Sequence, residues 1–125
     1  MIPATILLVD DDEGLLRLHQ LVLKNRAGFD VQVAASGQAA LEQISRRQPD
    51  LVILDLMMPD MGGIEICCWM RARPELAAIP IVILTGLSDE AAHRTALESG
   101  ANAVWLKPLA LSDLTTRIIQ ILAAR

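Results

Sequence analysis

The sequence predicts an α/β fold, a doubly wound parallel sheet of five strands covered by five helices on both faces. Three observations carry this expectation. Five short aliphatic runs recur along the 125 residues, longer segments with helical spacing lie between them, and turn or cap residues fall at the joints. Such an alternation calls for right-handed crossovers between parallel strands.

The first run, Ile6-Leu7-Leu8-Val9, is apolar at every position, as a strand buried on both faces requires. It leads into Asp10-Asp11-Asp12-Glu13 and then a helix with Leu15, Leu18 and Val22 on one face, closed by Gly28. Val31-Gln32-Val33-Ala34 forms the second strand. Ser36 caps the next helix, whose apolar face is Ala40, Leu41 and Ile44. Leu51-Val52-Ile53-Leu54 is the third strand, and a third helix carries Cys67, Cys68 and Trp69. After the fourth strand, Ile81-Val82-Ile83-Leu84, Ser88 stands at an N-cap position. Asp89 and Glu90 then occupy a first turn favoured by the helix dipole, and Gly100 ends that helix. Ala103-Val104-Trp105-Leu106 is the fifth strand, and Leu111, Leu114, Ile118 and Leu122 line the last helix.

The length suits one domain over residues 1–125, with one core and no linker or repeat. The chain is 53% apolar but has only Phe29, Trp69 and Trp105 as aromatics, so aliphatic side chains must fill the core. A net charge of −4 argues against direct nucleic-acid binding, which needs a basic face. The adjacent Cys67 and Cys68 make a poor disulfide pair and fit a reducing compartment. No run approaches membrane-spanning length, and Met1-Ile2-Pro3-Ala4-Thr5 lacks the basic and apolar regions of a signal peptide. The expected location is the cytoplasm, with no membrane partner.

In open sheets of this class, ligands bind beyond the carboxyl ends of the strands. Asp10 and Asp11 follow the first run there, Asp55 the third, Thr85 the fourth, and Lys107-Pro108 the fifth. Each alone has a bland reading: a solvated first turn, a turn former, a structural hydroxyl or lysine. If strands one and three are neighbours, as in the order 2-1-3-4-5, the carboxylates converge. Clustered like charges are costly, and all-oxygen ligation without His or Cys points to Mg2+. Thr85 and Lys107 then supply a hydroxyl and a positive charge for separate oxygens of a transferring phosphoryl group, with Asp55 as nucleophile.

On these residues the chain resembles the receiver domain of two-component response regulators, from Ile6 to the final helix. The matching motifs are Asp10-Asp11, then Asp55 within Pro49-Asp50-Leu51-Val52-Ile53-Leu54-Asp55-Leu56-Met57-Met58-Pro59, then Gly63, Thr85-Gly86 and Lys107-Pro108. The resemblance implies a flavodoxin-like fold with strand order 2-1-3-4-5 and Asp55 as phosphoacceptor. Asp11 and Asp55 are then direct Mg2+ ligands, Asp10 acts largely through water, and the backbone carbonyl of Met57 completes the protein's share. Thr85 and Lys107 report and stabilise the phosphorylated state, and a cis Lys107-Pro108 bond aims the lysine into the site. Asp12 and Glu13 fall to the cap and first turn of the first helix. The implied partner is a histidine kinase or histidine phosphotransfer protein, with an unidentified output domain or protein downstream.

The chain departs from the family at Val104, where an aromatic is common, at Leu109 and Ala110 after Lys107-Pro108, and at Gly62, a frequent Asp. These changes bear on the switching face, and Trp105 is expected in the core, since it points to the opposite side of the strand. His19 and His93, without ligand-spaced companions, are expected at the surface, and Cys67 and Cys68 in packing roles. Trp69 suits partial exposure.

The expected activity is self-catalysed phosphorylation and dephosphorylation, with no turnover of a separate substrate. An aspartate-nucleophile phosphatase is the alternative, but it usually carries a second acid where this chain has Met57. A flavin or nucleotide binder lacks its glycine-rich loop after the first strand. A receiver-like interaction scaffold is the remaining reading, disfavoured because every core chemical residue is present.

Overall fold

The computed structural model describes residues 3–125; Met1 and Ile2, part of the N-terminal stretch read against a signal peptide, lie outside the described residues. Strands β1 (Thr5–Val9), β2 (Asp30–Ala34), β3 (Leu51–Leu54), β4 (Ile81–Thr85) and β5 (Ala103–Leu106) alternate with five helices. These are α1 (Glu13–Ala27), α2 (Gly37–Arg46), α3 (Gly63–Arg71), α4 (Glu90–Glu98) and α5 (Leu111–Ala124). The strands form one parallel sheet in the order β2-β1-β3-β4-β5. The expected fold and strand order are therefore those observed.

Strand alternation sorts the core into two layers, because successive side chains point to opposite faces. Leu7, Val9, Val52, Leu54, Ile81 and Ile83 pack against Ala40, Ile44, Ile66, Met70 and Ala96 of α2, α3 and α4. Ile6, Leu8, Ile53, Val82, Leu84 and Trp105 pack against Leu16, Leu23, Leu114 and Ile118 of α1 and α5. Trp105 is thus in the core as expected, with the Arg117 guanidinium over its ring at 5.8 Å, while Val104 leans on the other layer. Pro80 and Pro108 flank strands without interrupting them.

Four local expectations need correction. The buried stripe of α1 is Leu16, His19 and Leu23, with Leu18 exposed. The helix carries leucines on more than one side, so spacing alone did not fix its phase. His19 is consequently buried, not on the surface. Asp89, not Ser88, caps α4, its carboxylate accepting the Ala91 N–H at 2.9 Å. Of the two cysteines only Cys67 packs inside, where burial pushes its thiol up to about 11, and Cys68 is exposed. Trp69 is half-buried beneath the Arg73 guanidinium.

The caps of α1 and α2 are as expected. Asp12 accepts from the Leu15 N–H and Ser36 from the Ala39 N–H, and Gly28 closes α1 at φ 72°. At the far end of the sheet Arg71 donates to the carbonyls of Ala77, Ile79 and Gly100 and to Asn102 Oδ1. That fan of bonds ties the segment after α3 to the turn before β5.

Candidate functional site

Because β1 and β3 are neighbours, with Val9 paired to Leu54, the residues that follow them emerge side by side. The Asp55 N–H donates to Val9 O at 2.9 Å, extending the ladder one residue and fixing where its side chain starts. Asp10, likewise, donates its N–H to Ala34 O and accepts the Asp12 N–H on Oδ1 at 2.9 Å. Asp10, Asp11 and Asp55 each present a carboxylate oxygen, all within 4.8 Å of one another. Asp10 is buried, Asp55 half-buried and Asp11 open to solvent.

Lys107 reaches this cluster from the end of β5. Its Nζ donates to Asp10 Oδ2 at 2.6 Å and to Asp55 Oδ2 at 3.3 Å. The Lys107-Pro108 bond is cis, as expected, and the lysine is in the site. Burial would lower the Lys107 pKa, but its bonds and charge contacts with Asp10 and Asp55 more than offset this, so the net direction is up. Asp55 is raised by burial and by the neighbouring Asp10, against the opposing pull of Lys107. One ammonium thus serves two of three carboxylates, and the described contacts give Asp11 no cationic partner. The remaining negative charge, presented wholly by oxygens, fits a hard divalent cation.

Thr85, at the end of β4, is buried and coupled to Lys107 through the main chain, since the Lys107 N–H donates to Thr85 O at 2.8 Å. Its hydroxyl accepts the Leu87 N–H at 3.2 Å and is not bonded to the carboxylates, which leaves its own proton free to donate. Met57 begins the β3–α3 loop with an exposed side chain, its N–H 3.5 Å from Asp55 Oδ1. The structure therefore brings Asp10, Asp11, Asp55 and Lys107 together, with Thr85 at the end of β4 and Met57 on the β3–α3 loop beside them.

Two residues that bear on these loops escaped the sequence reading. His93 of α4 donates from Nε2 to Leu87 O at 2.6 Å; a carbonyl only accepts, so the proton is on Nε2. Asp60, in the β3–α3 loop, accepts from two main-chain N–H groups of α2. Only the Asp in Pro59-Asp60-Met61-Gly62, a turn-forming stretch, gave any signal. His19, buried behind the site, lines a small cavity with Asp10 and Asp55, and burial lowers its pKa.

Residues 6–119 match the response regulator receiver domain. The chain belongs to that family. It is 40% identical over 114 residues to the transcriptional regulatory protein GltR of Pseudomonas aeruginosa, covering 91% of this chain and 47% of that protein. DNA-binding response regulator MtrA of Mycolicibacterium smegmatis is 41% identical over 113 residues, 90% of this chain and 48% of its own. The receiver domain accordingly spans about half the length of the curated relatives it matches. Among solved structures, the BeF3-activated N-terminal receiver domain of Klebsiella pneumoniae RstA superposes with a TM-score of 0.86 at 35% identity, covering 94% of this chain and 97% of that one. Receiver domains are signalling modules, and the acidic cluster at the sheet's carboxyl end is of the kind the family uses. Among the described residues no helix is long and apolar enough to cross a membrane.

Proposed function

We propose that this receiver domain takes a phosphoryl group onto Asp55 from the phosphohistidine of a kinase or phosphotransfer protein. The observation that carries the reading is the convergence of Asp55, Asp10, Asp11 and Lys107 in one small volume. Burial and Asp10 raise the pKa of Asp55, making its ionised form a better nucleophile than a solvated carboxylate. An Asp55 oxygen bonds to phosphorus as the donor's N–P bond breaks, and the imidazole leaves with the bond's electron pair. Lys107 is placed to hold an oxygen of the arriving group, and Thr85 to donate its free hydroxyl proton to another. Asp11, Asp55 and the Met57 carbonyl would hold Mg2+ directly, with Asp10 acting largely through water. Bound there, the ion would neutralise charge on the transferring phosphoryl oxygens.

Residues 1–125 act as one module, in the cytoplasm, catalysing only their own phosphorylation and its reversal. The donor must bring its histidine to the rim of the site. An apolar groove of about 530 Å³ adjoins Lys107 there, lined by Leu15, Leu18, Pro108, Leu109 and Leu111, and suits an apolar helix of the donor. The downstream partner is an output domain or protein whose identity lies beyond these residues. The test is intact mass after incubation with acetyl phosphate and Mg2+: one phosphoryl group should be added, and none to Asp55→Asn. Undiminished labelling of that variant overturns the assignment.

A further inference from the structure

The loop that carries Met57, residues 56–62, is held in an uneven way. Its base is tight. Gly63 N–H donates to Leu56 O at 3.0 Å, and a Cβ at Gly63 or Gly62 would lie 2.6 Å from Asp55 O or 2.8 Å from Leu56 O. Its tip leaves the body of the protein, with Met57, Pro59 and Asp60 exposed. There Asp60 reaches across to α2, where its two carboxylate oxygens accept the Gly37 N–H at 3.1 Å and the Gln38 N–H at 2.9 Å. Met61 lies against Gly37 so closely that a Cβ there would be 2.5 Å from Met61 Cβ.

Helix α2 has a cap of its own in Ser36, and Asp60 takes the two first-turn N–H groups, of Gly37 and Gln38, that Ser36 leaves over. Ser36 already accepts the Ala39 N–H at 3.1 Å, and Gly37, Ala40 and Ile44 bury the helix on the sheet. What Asp60 adds to the packing of Met58 and Met61 is a directional, two-bond tie between the loop tip and the first turn of α2. We infer that Asp60 is a positioning residue for phosphoryl transfer, a clamp from the β3–α3 loop to α2 that holds the Met57 carbonyl toward the metal centre. The inference rests on the proposed reading of that centre. The two N–H bonds, from Gln38 and Gly37, also keep the Asp60 pKa below the ordinary carboxylate value, because they favour its ionised form. Preorganisation of this kind acts on ion affinity, because a loose loop must be ordered each time the ion binds.

The test measures Mg2+ binding by calorimetry in the full chain, with amide hydrogen exchange of residues 56–62 in metal-free protein as a second readout. Asp60→Ala should weaken Mg2+ binding by about tenfold and speed exchange across the loop. Asp60→Asn, with one acceptor oxygen for two N–H groups, should fall between. Ser36→Ala removes a cap from the same helix without touching the loop, and should leave both readouts at their native values. Native Mg2+ affinity and native exchange in Asp60→Ala would overturn the clamp, as would an equal loss in Ser36→Ala. Asp11→Ala should abolish Mg2+ binding; unchanged affinity there would place the ion elsewhere and refute the metal reading on which the clamp depends.

Discussion

Asp55→Asn should make the metal-free protein more stable at neutral pH, although it removes a partner of Lys107. The site's geometry gives the balance. Lys107 attracts Asp55 across 3.3 Å, worth about 5 kcal/mol at an effective dielectric of about 20. Asp10 repels it from within 4.8 Å, which costs at least about 3 kcal/mol on the same footing. Asp11 adds a smaller, water-screened repulsion. The charge terms thus nearly cancel, and the burial penalty on the Asp55 carboxylate, up to several kcal/mol, decides the sign. In the variant Lys107 keeps its shorter bond to Asp10. After the amide's own burial cost, the net gain should be about 1 kcal/mol, or about 4 °C in melting temperature for a chain of this length.

Thermal melts followed by circular dichroism, with EDTA or with Mg2+, make the comparison. In the wild type, Mg2+ at tenfold its dissociation constant should contribute about 1.4 kcal/mol, a rise of about 5 °C. In Asp55→Asn, which would lose a proposed ligand and much of the repulsion, the rise should shrink to about 1 °C. The pH dependence has a definite sign. The folded pKa of Asp55 lies above its ordinary 3.8, so its ionised form penalises the fold above that folded pKa. The penalty fades as pH falls and is gone below 3.8, where Asp55 is neutral folded and unfolded alike. The gap between variant and wild type in EDTA should therefore close on acidification. A variant less stable than wild type in EDTA at neutral pH, or a gap that widens as pH falls, would refute the reasoning.

Two further outcomes are expected. Gly100→Ala should cost about 2 kcal/mol, because φ is 115° and the new Cβ would meet Arg71 Cγ at 2.5 Å, whereas Gly28→Ala, at φ 72° with open space around it, should cost about 1 kcal/mol; equal losses in chemical denaturation would show that the Arg71 contact is immaterial. Adding a beryllofluoride phosphate mimic should shift the amide resonances of Thr85-Gly86-Leu87 and the start of α4 while Val104 and Trp105 respond weakly. Val104 is β-branched and stiff at χ1, so large shifts through β5 and α5 would show that this face switches without an aromatic there.

The strands and the four side chains of the acid–lysine cluster were legible because each depends on local pattern, whereas the strand order came with the family resemblance. An aliphatic run of four residues marks a strand, and Asp, Thr and Lys after several such runs together mark the end where chemistry belongs. Phase was harder to read on α1. Leu15, Leu16, Leu18, Leu21 and Leu23 offer several apolar stripes, and the sheet selects the one through Leu16, His19 and Leu23. A histidine inside that stripe is invisible to pattern because its polarity argues for the outside. Asp60, His93 and Arg71 were illegible for another reason: each acts on main-chain groups of a separate segment, and spacing along the chain says nothing of such meetings.

These unanticipated contacts also make the two loops beside Asp55 unequal. On the side of the proposed metal ligands the β3–α3 loop is fixed at its base by the Gly63–Leu56 bond and at its tip by two N–H bonds that Asp60 accepts, with glycine contacts too close to admit a Cβ. On the other side the β4–α4 loop is tied to α4 by its cap Asp89. Between Thr85 and Asp89, however, it has one bond from His93 to Leu87 O and one from Leu87 N–H to Thr85 Oγ1, and Gly86 has open space around it. A phosphoryl group brings about −1.5 to −2 charges between these two loops. The less constrained loop yields for the smaller cost, and it starts from Thr85, whose hydroxyl proton the new oxygens would attract. Movement is therefore expected to run toward α4 and away from α2, while the β3–α3 loop keeps its geometry.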